Sequence, residues 1–186
     1  MKIILASGSP RRREILKRDF DFEIISPKIK EDKDHYEDGE SLVMALAYEK
    51  AYQVAKNYKN SLVIGADTLV MRGSQPLGKP KNREDAYNML KSLSNIKHRV
   101  ITGFALINLD KKIKYVDFES SYVYFKDLKE KDIIAYLDTG EYKDKAGSYG
   151  IQGYGSNLVL KYEGDFDNIV GLPYKRIKEY IEKING

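Results

Sequence analysis

One carboxylate stands where an apolar strand ordinarily has none. Residues 62–64 and 69–71 are apolar and partly β-branched, as in a largely buried strand, and Asp67 followed by Thr68 lies between them. A carboxylate in such a place is costly unless it has a partner. Gly73-Ser74 suits a two-residue hairpin turn. With Arg72 opposite Gln75, that turn sets Asp67 opposite Pro80 and beside Lys79. Two readings stand: a structural Asp that caps a turn or pairs with Lys79, or an active-site acid held with a lysine against a low-dielectric wall.

A second group of candidates opens the chain. A short strand, Lys2 to Ala6, runs into the small residues Ser7-Gly8-Ser9, then Pro10 and Arg11-Arg12-Arg13. Ser9 suits a helix N-cap and Pro10 the first helical position. Arginines in a first turn oppose the helix dipole, whereas an anion bound there reverses the sign. Arg11 and Arg12 precede Ile15 and Leu16 by one turn on the inward side, and Arg13 stacks over Lys17 toward solvent. A phosphate cradle formed by Ser7, Ser9, Arg11 and Arg12 is preferred over a solvated basic cluster. Lys50 interrupts the apolar stripe of a long helix, so its ammonium either snorkels to water or emerges beside Asp67 and Arg12. Glu31, in the charged stretch 28–40, is a minor candidate as a metal ligand.

Several chemistries are excluded. The chain has no cysteine and two histidines, so disulfides, zinc–thiolate sites, thiol nucleophiles and histidine-rich metal sites are ruled out. Residues 73–80 nearly spell a phosphate-binding loop, but Pro80 replaces its hydroxyl residue and Pro76 and Pro80 remove amides it needs. Gly153 and Gly155 begin a dinucleotide fingerprint that Leu158 and a following strand contradict. Asp32 and Asp34 open like a calcium loop in which Glu37 stands at the obligatory glycine. No G-x-S-x-G elbow is present. What remains is a set of oxygen and cation groups, suited to a hard divalent metal and an anionic substrate.

The 186 residues fit one domain, 1–186, with a real core. A net charge of +4 is mild for a dedicated nucleic-acid binder but compatible with an anionic small ligand. The apolar run at residues 3–6 is too short for a signal peptide or a membrane span, so a soluble, cytoplasmic protein is expected. Strands are expected at residues 22–25, 100–107, 113–125 and 157–162, and helices at 10–18, 41–58, from Asn82 to about Leu93, from a capping box at Asp127 and Glu130 to Leu137, and from Pro173 onward. The glycine-rich stretch 142–156 has neither period. No repeat or low-complexity segment appears.

The motifs A-S-G-S-P-R-R (6–12), G-A-D-T (65–68), G-K-P (78–80) and K-A-G-S-Y-G-I-Q-G (145–153) resemble the Maf family, whose members are nucleoside triphosphate pyrophosphatases. L-A-Y-E-K-A (46–51), H-R-V-I-T-G (98–103) and N-I-V-G-L-P (168–173) follow in family order, so the likeness spans nearly the whole chain. The resemblance implies a mixed α/β fold with a strongly twisted sheet, flanking helices and two lobes around a substrate cleft. It implies metal-dependent hydrolysis of a nucleoside triphosphate to the monophosphate and pyrophosphate, with magnesium or manganese. By carry-over Asp67 is the catalytic acid and a metal ligand, Arg11, Arg12, Lys50 and Lys79 hold the triphosphate, and Glu31 assists with the metal. Thr68 and Gln152 resemble the branch acting on dTTP and UTP, standard or modified, rather than on 7-methyl-GTP. No membrane or stable nucleic-acid partner is expected, and a homodimer is the default oligomer. The rival class is a non-catalytic nucleotide or nucleic-acid-binding regulator, which gains nothing from a carboxylate beside the phosphates.

Overall fold

The computed structural model describes residues 1–29 and 38–185. In chain order the elements are β1 (Lys2–Ala6), α1 (Pro10–Leu16), β2 (Glu23–Ile24), α2 (Gly39–Ala55), β3 (Ser61–Arg72), β4 (Gln75–Leu77), α3 (Arg83–Leu93), β5 (Lys97–Asn108), β6 (Ile113–Phe125), α4 (Glu130–Asp138), β7 (Val159–Glu163), α5 (Phe166–Val170) and α6 (Tyr174–Asn185). Seven strands form one sheet in the order β2-β1-β3-β5-β6-β7, with β4 paired to β3. β1 runs parallel to β2 and β3, whereas β3–β4 and β6–β7 are antiparallel. The fold is mixed α/β, as expected. Contacts divide the chain into two compact units, Met1–Thr68 with Thr102–Glu119 and Gly171–Gly186, and Leu69–Ile101 with Ser120–Val170.

The expected hairpin forms with Arg72 opposite Gln75, but its ladder ends where Val70 meets Leu77. Lys79 is therefore exposed past the end of β4, and the strand register does not carry it to Asp67. Helix α2 starts two residues before the expected Ser41, because Asp38 is the cap and its carboxylate accepts the Ser41 amide at 2.6 Å. At α4 the cap is Lys129 rather than Asp127, with the Asp132 carboxylate accepting the Lys129 amide at 3.0 Å. A 3₁₀ turn over Gly153–Leu158 takes Asn157 and Leu158 out of the expected strand. Five-residue α5 is too short to show a helical period.

In the first unit α2 lies directly on the sheet. A Cβ on Gly65 of β3 would sit 2.3 Å from the Ala47 carbonyl oxygen, and one on Gly103 of β5 would sit 2.3 Å from that of Val43. Ala47 and Ala51 are fully buried against this surface. Backbone meets backbone here, and no side chain can yield. Gly65→Ala is expected to lower the unfolding free energy by about 2 kcal/mol, in the range of overpacked cores; an unchanged urea midpoint would show that α2 can back away.

In the second unit α3 packs on α4. His98 lies between Phe125 and Tyr149 with ring centroids at 4.9 and 5.4 Å, and its Nε2 is 2.7 Å from the Tyr149 hydroxyl. Nδ1 is buried without a hydrogen-bond partner among the described residues. Desolvation pulls the imidazole pKa down to about 4 and pushes the Tyr149 phenol up. Between pH 6.5 and 4 the unfolded chain takes up a proton at this position that the folded chain refuses. Stability from neutral His98 is therefore complete above pH 6.5 and is lost as pH falls toward 4, by about 3 kcal/mol. Urea unfolding across that window is expected to show the slope in the native chain and a shallower one in His98→Phe.

Candidate active site

The site of the first unit follows from strand register and pleat. Ala6 at the end of β1 pairs in parallel with Gly65 of β3, so the loop opening at Ser7 leaves the sheet beside Ala66 and Asp67. Successive strand residues point to opposite faces. Asp67 shares the face of Gly65, toward α2, and Thr68 takes the other.

On the α2 face Lys50, between the close-packed Ala47 and Ala51, turns to Asp67. Its Nζ donates to Asp67 Oδ1 at 2.5 Å, with the two side chains 13% and 16% exposed. Lys50 thus joins the carboxylate instead of snorkelling to water. The acid of β3 has a lysine partner as expected, but it is Lys50 of α2 and not Lys79. The cause is the hairpin ladder, which stops short, while Gly65 draws α2 close enough for a lysine to reach.

On the opposite face Arg12 ties together three chain segments. Nε donates to the Gly171 carbonyl at 2.7 Å, Nη1 to the Ala66 carbonyl at 2.9 Å and to Ser7 Oγ at 3.3 Å, and Nη2 to Thr68 Oγ1 at 3.0 Å. The planar guanidinium fork suits this divergent set as an ammonium does not. Thr68 Oγ1 also lies 3.0 Å from Thr102 Oγ1. Gly171 has φ of +122°, and a Cβ there would lie 3.3 Å from Thr68 Oγ1, so a side chain would enter this cluster from a strained backbone.

Ser7 is buried and accepts the Ser9 amide at 3.2 Å. Ser9 stands at the N-cap of α1 with Pro10 following, but its side chain makes no capping bond. Arg11 is half-buried and makes no ion pair or hydrogen bond among the described residues, and Arg13 is exposed. The structure therefore brings together Ser7, Arg12, Lys50, Asp67 and Thr68, with Ser9 and Arg11 on the adjoining turn. Lys79 and Gln152 belong to the second unit, both exposed. Glu31 lies outside the described residues.

The sequence reading did not assign Thr102 or the Gly171 carbonyl to the site. Both fall inside stretches quoted above, residues 98–103 and 168–173, and those stretches were the available signal. Among the described residues no group of three or more His, Asp or Glu side chains gathers to hold a metal. Asp67 alone still suits magnesium or manganese of the kind carried by substrate phosphates, since Mg²⁺ commonly takes one or two carboxylates and fills its shell with phosphate oxygens and water.

Fold and site together define a mixed α/β protein with a carboxylate–lysine–arginine centre. A family model described as Maf-like protein matches residues 2–184, and the chain belongs to that family. It is 50% identical over 184 residues to the dTTP/UTP pyrophosphatase of Clostridioides difficile strain 630, covering 98% of this chain and 95% of that protein. It is 45% identical over 188 residues to the protein of the same name from Caldanaerobacter subterraneus subsp. tengcongensis, covering 100% and 90%. Among solved structures, the Staphylococcus aureus Ham1 protein aligns at a TM-score of 0.46 and 15% identity, over 86% of this chain and 80% of that one.

The two arginines are expected to separate in stability. Arg12→Lys keeps the charge but loses the fork that reaches two carbonyls and two hydroxyls, and should cost about 2 kcal/mol. Arg11→Lys should stay within about 0.5 kcal/mol, as ordinary surface changes do. Equal urea midpoints for the two variants would contradict the organising role of Arg12.

Proposed function

We propose that the protein hydrolyses dTTP and UTP, and related modified pyrimidine nucleotides, to the monophosphate and pyrophosphate. The observation that carries this reading is the Asp67–Lys50 pair: a mostly buried carboxylate fixed by an ammonium within the unit that also holds Ser7, Arg11 and Arg12. Full-length relatives at 45–50% identity named dTTP/UTP pyrophosphatase support the choice of substrate.

In the proposed step water attacks the α-phosphorus and gives its proton to Asp67, while the α–β P–O bond breaks and pyrophosphate leaves with the bonding electrons. Lys50 orients the Asp67 carboxylate and, with Arg11 and Lys79, offsets the charge of the leaving group. Arg12 adds positive charge and holds the loop at Ser7, β3 and Gly171 in one arrangement. Magnesium or manganese would be held by Asp67 together with the substrate phosphates, with Glu31 as a second carboxylate. When bound, that metal polarises the phosphoryl oxygens and acidifies water. Gln152 and Thr68 are assigned to the base. The Thr68 hydroxyl already bonds Arg12 and Thr102, which leaves the exposed Gln152 amide as the freer reader.

Asp67→Asn keeps the shape and removes the basic function, and is expected to lower turnover of dTTP by about 10²-fold or more. The assay resolves products by chromatography over a panel of nucleoside triphosphates, with the metal supplied or chelated. Near-native turnover by the variant would sink the role of Asp67. Saturable binding without turnover by the native protein would favour a nucleotide-binding regulator. Full activity under chelation would remove the metal from the scheme.

A further inference from the structure

We infer that Glu141 is a positioning residue for nucleotide selection, acting through Gln152. The inference rests on the assignment of Gln152 to the base. Gln152 is the N-cap of the 3₁₀ turn Gly153–Leu158, yet its side chain makes no capping bond. A helical start leaves its first amides without partners, and the N-cap side chain ordinarily takes those at the second and third positions. Here Glu141 takes them from a distance in sequence. Its Oε1 accepts the Tyr154 amide and its Oε2 the Gly155 amide, each at 3.3 Å.

The surroundings show that the clamp is built. Gly153 has φ of +63°, and a Cβ there would lie 2.5 Å from Glu141 Oε1, so the carboxylate fills the space a side chain would need. A Cβ on Gly155 would lie 1.9 Å from the Gly150 carbonyl oxygen, which folds the turn tightly back on the stretch before Gln152. Glu141 is itself fixed at both backbone ends. Its amide donates to Thr139 Oγ1 at 3.1 Å, and its carbonyl accepts from Lys145 Nζ. Lys145 in turn crosses Gly150, where a Cβ would meet its Cε at 2.8 Å.

The consequence is a division of labour. Glutamine is a poor N-cap, and a serine or aspartate there would bend back to its own turn. With Glu141 satisfying the turn, the Gln152 amide stays exposed and makes no hydrogen bond among the described residues. Its backbone direction is set by the clamp.

The test compares the native protein with Glu141→Gln, Glu141→Ala, Gln152→Ala and the Glu141→Ala/Gln152→Ala double variant. It reads the ratio of kcat/KM for dTTP over dCTP, and the hydrogen exchange of the Tyr154 and Gly155 amides by NMR. Glu141→Ala is expected to lower the ratio about tenfold, the scale of a misplaced recognition group, with kcat for dTTP held within about threefold. Glu141→Gln, which keeps one acceptor oxygen, should fall between it and the native protein. Both amides should exchange faster in Glu141→Ala, and the double variant should be no less selective than Gln152→Ala. Unchanged amide exchange, or an equal fall for all nucleotides, would overturn the role of Glu141. If Gln152→Ala collapses the ratio and Glu141→Ala leaves it intact, this inference alone fails. If Gln152→Ala leaves the ratio unchanged, the base assignment fails and takes the inference with it.

Discussion

The contact on which the first unit depends is the one between the backbone of α2 and the backbones of β3 and β5. At Gly65 and Gly103 the missing side chains let helix carbonyls come within the distance where a Cβ would collide. Ordinary helix–sheet packing holds the two layers apart by the thickness of side chains. Here that layer is absent, and only alanines fill the helix side at residues 47 and 51. A lysine stem between them then projects across the sheet surface to the next residue on the same face of β3, which is Asp67. The ion pair is a consequence of glycine placement as much as of charge.

The pleat of β3 divides the remaining work. Asp67 and Thr68 are neighbours in sequence that face opposite ways, one to Lys50 and one to Arg12 and Thr102. A chemical group and a structural cluster can thus share one strand without competing for space. Arg12 is central to the second. It joins the loop after β1, the middle of β3 and the residue that follows α5 through carbonyls and hydroxyls, and none of its four named acceptors is a carboxylate.

Local signals carried much of this into the sequence. Ser9-Pro10 marked α1, Asn82 capped α3 through the Asp85 amide, and Gly73-Ser74 set the register of β3 on β4. An apolar strand interrupted by one acid, and a helix stripe interrupted by one lysine, were both visible. That the two interruptions meet was not, because it depends on how close α2 comes to β3. The expectation for Lys79 extended a two-strand register past Leu77, where the ladder ends and Gly78 instead accepts the Gly147 amide. Lys129 took the cap expected at Asp127, and Asp38 started α2 two residues ahead of the expected Ser41, because several polar residues in a row offer equivalent starts. Thr102 and Gly171 were marked only by the motif stretches that contain them, 98–103 and 168–173, and not by any residue chemistry of their own.

The glycine-rich stretch shows most clearly why the rest was illegible. Its period is neither helical nor extended, so its shape comes from partners elsewhere in the chain. Gly140, with φ of +73°, ends α4 and is followed at once by Glu141, and Glu141 caps a turn more than ten residues later. No spacing rule connects a carboxylate to amides at that separation. Capping from a distance also differs physically from capping by the N-cap itself: the residue at the cap position is relieved of the duty that normally dictates its type. A glutamine, unfavourable as a cap, becomes tolerable there, and its side chain stays exposed with no capping bond to make. The irregular backbone of residues 150–155 is then a means of separating what holds the turn from what the turn displays.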